Sequence, residues 1–357
     1  MTWDIPPEIY AIICNELQGT GTLVTLCSTS RLFRDQAQHI LYRSVDLRGL
    51  RTIKSWALSV SRNPHLAARV QSLVIHFPNQ MLDQADGTKI KLALNKCVNL
   101  KDLEVASADF APTCTSKHVW IIDDCPFRLH TFRNTYFRTG DTWMGKFWEA
   151  QTEIRVVAFR SGGLVPRSTL PNLLAVRAPQ VSGIPLDRPL QRVYTSFNND
   201  ISQLARYSKS LRTVNLERMW DRDNLTFMRV IEILAGSLPL LCHLWLVERS
   251  KYFRGVGSDC ERAPTTALQR LSQLEDFVLH ARSVTSFKEG NDGLYLMTDS
   301  TGLEALGLAI MAACPSLRRV NLGGEVARDV ELTCVLTRST NGGIWTEHGA
   351  QRSAGHR

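Results

Sequence analysis

Apolar residues recur at helical spacing along the first forty residues and then give way to a different, repeating pattern. Ile9, Ile12, Ile13 and Leu17 fall on one helical stripe, with Asp4 able to cap it, Pro7 suited to its first turn and Glu8 favourable at the positive end of the helix dipole. Gly19-Thr20-Gly21 breaks this helix, Thr22 can cap a second one around Leu23 to Cys27, and a third starts near Ser30 with Phe33, Ala37, Ile40 and Leu41 on one face. Three short helices bury little surface alone, so their outward apolar residues predict contact with a partner.

Beyond residue 48 a phrase of the form L-x-x-L-x-L recurs. Its clearest copies run Leu100-Lys101-Asp102-Leu103-Glu104-Val105, Leu241-Cys242-His243-Leu244-Trp245-Leu246 and Leu317-Arg318-Arg319-Val320-Asn321-Leu322. Weaker copies begin at Val70, Leu129, Ile154, Leu173, Leu190, Leu211 and Leu274, and successive first anchors lie 30, 29, 25, 19, 17, 21, 30, 33 and 43 residues apart. The alternation ending each phrase predicts a short strand whose inward residues stack on the next coil, while the preceding segment is helical. Phe227, Val230, Ile231 and Leu234 show that helical half before Leu241, as Ala305, Leu306, Ala309 and Ile310 do before Leu317. The short spacings from 154 to 211 leave space for loops or single 3₁₀ turns rather than full helices.

A chain of 357 residues exceeds what one hydrophobic core usually organises, so two domains or a repeat array are expected. The apolar share of 44% with 21% charged residues is ordinary for a soluble protein, and apolar runs such as Ala305 to Cys314 are too short to span a bilayer. The opening Trp3-Asp4-Ile5-Pro6-Pro7-Glu8 does not read as a secretory signal, which points to a reducing compartment, the cytoplasm or nucleus. The nine cysteines include no C-x-x-C pair, so they read as free, buried thiols, and no metal or cofactor is expected. Net charge is +8, and residues 126–212 alone carry 13 basic side chains against five acids.

Ile5-Pro6-Pro7-Glu8-Ile9-Tyr10, Ile13, Leu17, Leu23, Leu26, Ser30-Arg31 and Phe33 resemble the F-box motif, which opens Leu-Pro-x-Glu-Ile-Leu and closes on a Cys/Ser-Lys/Arg-x-Trp or Phe element. The match covers residues 4–46, and Gln36 to Arg43 is similar to the end of the motif in many fungal proteins. Ile5, Tyr10, Cys14, Thr22 and Phe33 depart from the pattern, all but Thr22 keeping an apolar or aromatic body. The resemblance implies that the helices dock on the Skp adaptor, and through it on a cullin, while the rest of the chain selects a protein for ubiquitylation. Pro6, Pro7, Ile9, Ile13, Leu17, Leu26 and Phe33 would form the adaptor surface. The recurring phrase in turn resembles the leucine-rich repeats that commonly follow an F-box. The expected fold class is therefore α/β: a three-helix F-box at 4–46, an irregular leucine-rich-repeat solenoid of about nine to ten coils at 49–338, and a disordered polar tail at 339–357.

No G-x-S-x-G elbow, H-E-x-x-H pair, Rossmann glycine set or kinase signature is present, so the chain is expected to be non-catalytic. Trp143, Phe147 and Trp148 read as core, and Cys97, Cys125 and Cys314 as packing residues at equivalent repeat positions. Arg249 to Pro264 reads as an insertion loop without a phosphate-loop ending. Strand alternation aims the second, fourth and sixth residues after each first anchor at the concave face, which selects Arg133, Arg160, Arg177, and Arg192 with Tyr194. With Trp245 as an aromatic anchor, this stripe suits an acidic or phosphorylated segment of a substrate. Two other readings remain open: a repeat scaffold without a ligase role, and a basic nucleic-acid binder, which lacks any known reading module.

Overall fold

The computed structural model of the chain describes residues 6–352 apart from 18, 79–81, 108–115, 138–140, 160–168, 187, 197–198, 219–224, 249–259, 282–283, 285, 290–292 and 328–329. The chain divides into two compact units, Met1–Leu173 and Leu174–Arg357.

The first unit opens with helices α1 (Pro7–Glu16), α2 (Thr20–Thr29) and α3 (Arg31–Arg43). Pro6, rather than Asp4, occupies the N-cap of α1, and the amide of Ile9 donates to its carbonyl at 3.0 Å. Thr22 lies inside α2, whose N-cap is Gly19, because the helix begins at Thr20. Ser30 caps α3 by accepting from the Phe33 amide at 3.2 Å. Strand β1 (Ser44–Arg48) follows α3 without a linker, so the helices are continuous with the first coil, and the compact division falls at 173/174 instead of near residue 47. Arg69 reinforces that continuity by donating to the Asp35 carbonyl at 2.8 Å.

Gly49, at φ +81°, turns the chain into α4 (Leu50–Arg62), which is followed by α5 (Pro64–Ala67), β2 (Ser72–Phe77), α6 (Gln84–Leu94) and β3 (Asp102–Ser107). A 3₁₀ turn at Ser116–Ile121, β4 (Thr131–Asn134), α7 (Asp141–Ala150) and β5 (Val156–Phe159) complete the unit. Its five strands pair in parallel and in sequence order, with Ser72 opposite Asp102 and Asp102 opposite Thr131. The β2–β3, β3–β4 and β4–β5 pairings align residues at the same offset from their phrase anchors, as the alternation requires.

The second unit contains β6 (Ala175–Arg177), β7 (Arg192–Ser196), β8 (Thr213–Arg218), α8 (Phe227–Ser237), β9 (His243–Glu248), β10 (Cys260–Arg262), α9 (Thr265–Leu268) and β11 (Asp276–Ala281). It ends with β12 (Ser286–Glu289), β13 (Gly293–Leu296), α10 (Ser300–Ala313), β14 (Arg319–Ala327), β15 (Val330–Arg338) and β16 (Ile344–Arg352). Strands β6, β7, β8, β9, β11 and β14 pair in parallel in that order, while β10, β12 and β13 form a separate small sheet. The returns between β6 and β8 are 3₁₀ turns at Val181–Gly183 and Asn199–Tyr207, as the short spacings there anticipated.

All ten first anchors, from Val70 to Leu317, have no accessible surface. The apolar residues three positions later (Leu73, Leu103, Phe132, Val157, Val176, Val193, Val214, Leu244, Phe277 and Val320) are equally buried and form the second rail of the ladder. At about 25 cal/mol per Å² of apolar surface, each fully buried Leu or Phe contributes about 1.5–3 kcal/mol, so the rails dominate packing in both units. Phe147 and Trp148 are buried as expected; the Trp143 side chain lies outside the described residues.

The expectation of a disordered tail from 339 is corrected for residues 344–352. Ser339 to Gly343 close a tight turn, with Gly342 at φ +84°, and β16 pairs antiparallel with β15 along nine residues. Strand β15 itself runs antiparallel to β14. Backbone pairing, more than side-chain burial, holds the polar sequence of β16 in place: Trp345 is 69% exposed and Thr346 half-buried, while His348 reaches Glu304 of α10 at 3.3 Å.

Candidate functional site

Two surfaces carry the residues singled out by sequence. On α1–α3 a small core forms from Cys14, Leu23 and Ala37, with Leu17, Leu26, Cys27, Phe33, Ile40 and Leu41 packed against it. Tyr10 meets Phe33 edge to face at 4.7 Å, and Arg34 donates to the Cys27 carbonyl at 2.8 Å, pinning the end of α2 to α3. Leu17, Leu26 and Phe33 are therefore half-buried in the element's own core. Ile9 (42%) and Ile13 (39%) face outward, and so do three residues the sequence reading left out of the surface: Ile12 (56%), Val24 (59%) and Leu32 (47%). Ile12 sits on the stripe already recognised; Val24 and Leu32 adjoin motif positions and carry no separate signal. Pro6 is exposed beside this patch, and Pro7 begins α1.

The second surface is the open face of the strands. In the first unit Arg133 on β4 meets Glu104 on β3 at 3.3 Å, the two residues being directly opposite in register. Arg160 lies outside the described residues. In the second unit Arg177 stacks on the Tyr194 ring, 4.2 Å from its centroid, and approaches the buried Glu217 carboxylate at 3.9 Å, to which the Tyr194 hydroxyl donates. Arg177 and Arg133 are thus already engaged by carboxylates of their own face. Arg192 is exposed on β7, and Trp245 on β9 is 46% exposed. His243 pairs with Asp276 at 2.8 Å, and His280 with Glu331 at 2.8 Å.

Among the described residues no group of three or more His, Cys, Asp and Glu could hold a metal ion, and no helix is long and apolar enough to cross a membrane. Cys97, Cys125 and Cys314 are buried in the positions assigned to packing. Burial pushes the Cys97 and Cys125 thiols up to about 12. A cleft of about 450 Å³ opens where Tyr42 of α3 faces Arg51, Thr52, Ser55 and Ser59 of α4, and no histidine, carboxylate or thiol lines it.

Parallel strands bearing the L-x-x-L-x-L rails, returned by helices or 3₁₀ turns and stacked in register, are compatible with a leucine-rich-repeat solenoid in the parallel part of each unit. Among solved structures, the leucine-rich repeat-containing protein LegL7 from Legionella pneumophila is similar at a TM-score of 0.45 and 14% identity, over 92% of this chain and 90% of that one. No family model and no curated protein matches the sequence.

Proposed function

We propose that the chain is the substrate-recognition subunit of an SCF-type ubiquitin ligase, with α1–α3 acting as an F-box that docks on the Skp adaptor and the open strand face receiving a protein substrate. The observation that carries this reading is that Ile9, Ile12, Ile13, Val24 and Leu32 are all exposed on an element whose own core is very small. Large apolar side chains left exposed on so small an element are what a partner interface needs. The chain contributes no chemistry of its own; catalysis belongs to the enzymes that the cullin recruits.

The test is a pull-down of recombinant Skp adaptor with the full chain and with Ile9→Asp/Ile13→Asp. Burying even one unpaired carboxylate costs several kcal/mol, enough to abolish capture, while the exposed positions leave the fold intact by circular dichroism. Capture of the adaptor at wild-type level by the double variant refutes the docking surface. A wild-type chain that captures no adaptor is instead a repeat scaffold whose N-terminal helices cap the array.

A further inference from the structure

On the open face of the second unit, parallel pairing sets the side chains in rows. One row runs Arg192, Thr213, His243, Asp276, Arg319 across β7, β8, β9, β11 and β14, and the next runs Arg177, Tyr194, Asn215, Trp245, Val278, Asn321. Most charges in this grid are spent internally. Glu217 is held by Tyr194 and Arg177, Asp276 by His243, and Glu331 on β15, reached across β14, by His280. Among the described residues the side chains of Arg192 and Arg319 are exposed without an ion pair or hydrogen bond, at the two ends of the first row. Trp245 projects from the central strand between them, with the half-buried Val247 and Val278 beside it. Past Arg319, the open carboxylate of Glu347 on β16 is negative, so the free positive potential ends at β14.

We infer that this face takes an extended peptide that crosses the strands, with an apolar side chain seated on Trp245 and an acidic group on each side of it, one for Arg192 and one for Arg319. The inference rests on the substrate-recognition reading above and gives that site its chemical class. Four strand steps of about 4.8 Å separate the two arginines by about 19 Å, and an extended chain advances about 3.3 Å per residue, so the acids fall about six residues apart. Guanidinium groups reach carboxylates or phosphates through paired N–H donors, and the ring supplies the desolvated centre. Arg177 does not take part, because Tyr194 and Glu217 already occupy it.

The probe is a fluorescein-labelled twelve-residue peptide with Glu at positions 3 and 9, Leu at 5 and 7, which share their face in an extended chain, and Ser or Gly elsewhere, beside a copy carrying Lys at 3 and 9. Anisotropy with the full chain is expected to show binding of the Glu peptide at least about tenfold tighter than the Lys peptide, weakening as salt is raised from 50 to 500 mM. Arg192→Ser/Arg319→Ser, both exposed, should weaken the Glu peptide about tenfold while leaving circular dichroism and adaptor capture unchanged, and Trp245→Ala should weaken it at least as much. Equal affinity for the two peptides, no binding of either, or indifference to the double arginine variant overturns the inference. Adaptor capture is read on the same samples: if it persists while the peptide fails, the docking reading stands and this one falls, and the converse result removes the ligase role alone.

Discussion

Replacing Asn134 separates packing from hydrogen bonding at one rung of the ladder. Asn134 occupies the position where other coils place Ile75, Val105 or Leu216, and like them it is buried. Its side-chain amide donates to the Phe137 carbonyl at 2.9 Å, and its oxygen accepts from the amides of Tyr136 at 3.1 Å and Phe137 at 2.8 Å. The turn so held sets the rings of Tyr136 and Phe137 against Phe77, the first of them stacked at 4.5 Å. Each such bond contributes about 1 kcal/mol net, so Asn134→Ala should cost about 3 kcal/mol through the stranded backbone groups alone, before any cavity term. For a unit of this size that is a fall in Tm of about 6–12 °C. Asn134→Leu is the informative control, because it restores the volume and apolarity of the neighbouring rungs but none of the three bonds. Calorimetry with parallel tryptophan fluorescence should place the leucine variant close to the alanine one. A leucine variant melting within about 1 °C of wild type would show that the position is an ordinary packing slot and refute the reasoning.

Two further outcomes follow from the titratable groups. Hydrogen bonding and charge from Lys54, with Lys89 beside it, hold the buried Asp86 carboxyl below its ordinary value. Its contribution is therefore complete above about pH 5 and lost as pH falls through the folded value, so Tm should drop as pH falls below about 5 and Asp86→Asn should flatten that segment; an unchanged profile refutes the assignment. In thiol titration with an aromatic disulfide at pH 8, the half-buried Cys27 and Cys242 should react in the native protein, while Cys97 and Cys125 wait for denaturant, and native labelling of either of the latter pair, read by peptide mapping, would contradict their burial.

The rails were legible because the same physics writes them at every coil: an anchor, a second apolar residue three positions on, and alternation between. Register followed from the anchors as well, but Arg133, assigned to a binding stripe, is met by Glu104, which shares the fourth position after its own anchor and lies opposite it. The capture of Arg177 was harder to read, since it depends on a diagonal reach past Tyr194 to Glu217 at the sixth position after Leu211. The antiparallel end of the second unit was missed for a different reason. Val330 to Arg338 alternates well but has no helical partner segment, and β16, mostly exposed, presents no hydrophobic alternation. On α1–α3, spacing identified the stripe but could not say which of its residues would be consumed by the internal core, so Leu17, Leu26 and Phe33 were counted as surface while Val24 and Leu32 were not.

The antiparallel run from β14 to β16 also bears on how the second unit assembles in time. Every parallel pair must close a crossover, which for successive anchors from 190 to 317 means 21 to 43 residues of chain, and loop closure of that kind is slow compared with a hairpin. Strands β15 and β16 are joined by the short turn at Ser339–Gly343, and hairpins of that sort form in about 1–10 μs. The C-terminal end thus gives the second unit a local seed on which β14 can settle, and once β14 is ordered, its free edge templates β11 and the coils before it, each closing against a strand already in place.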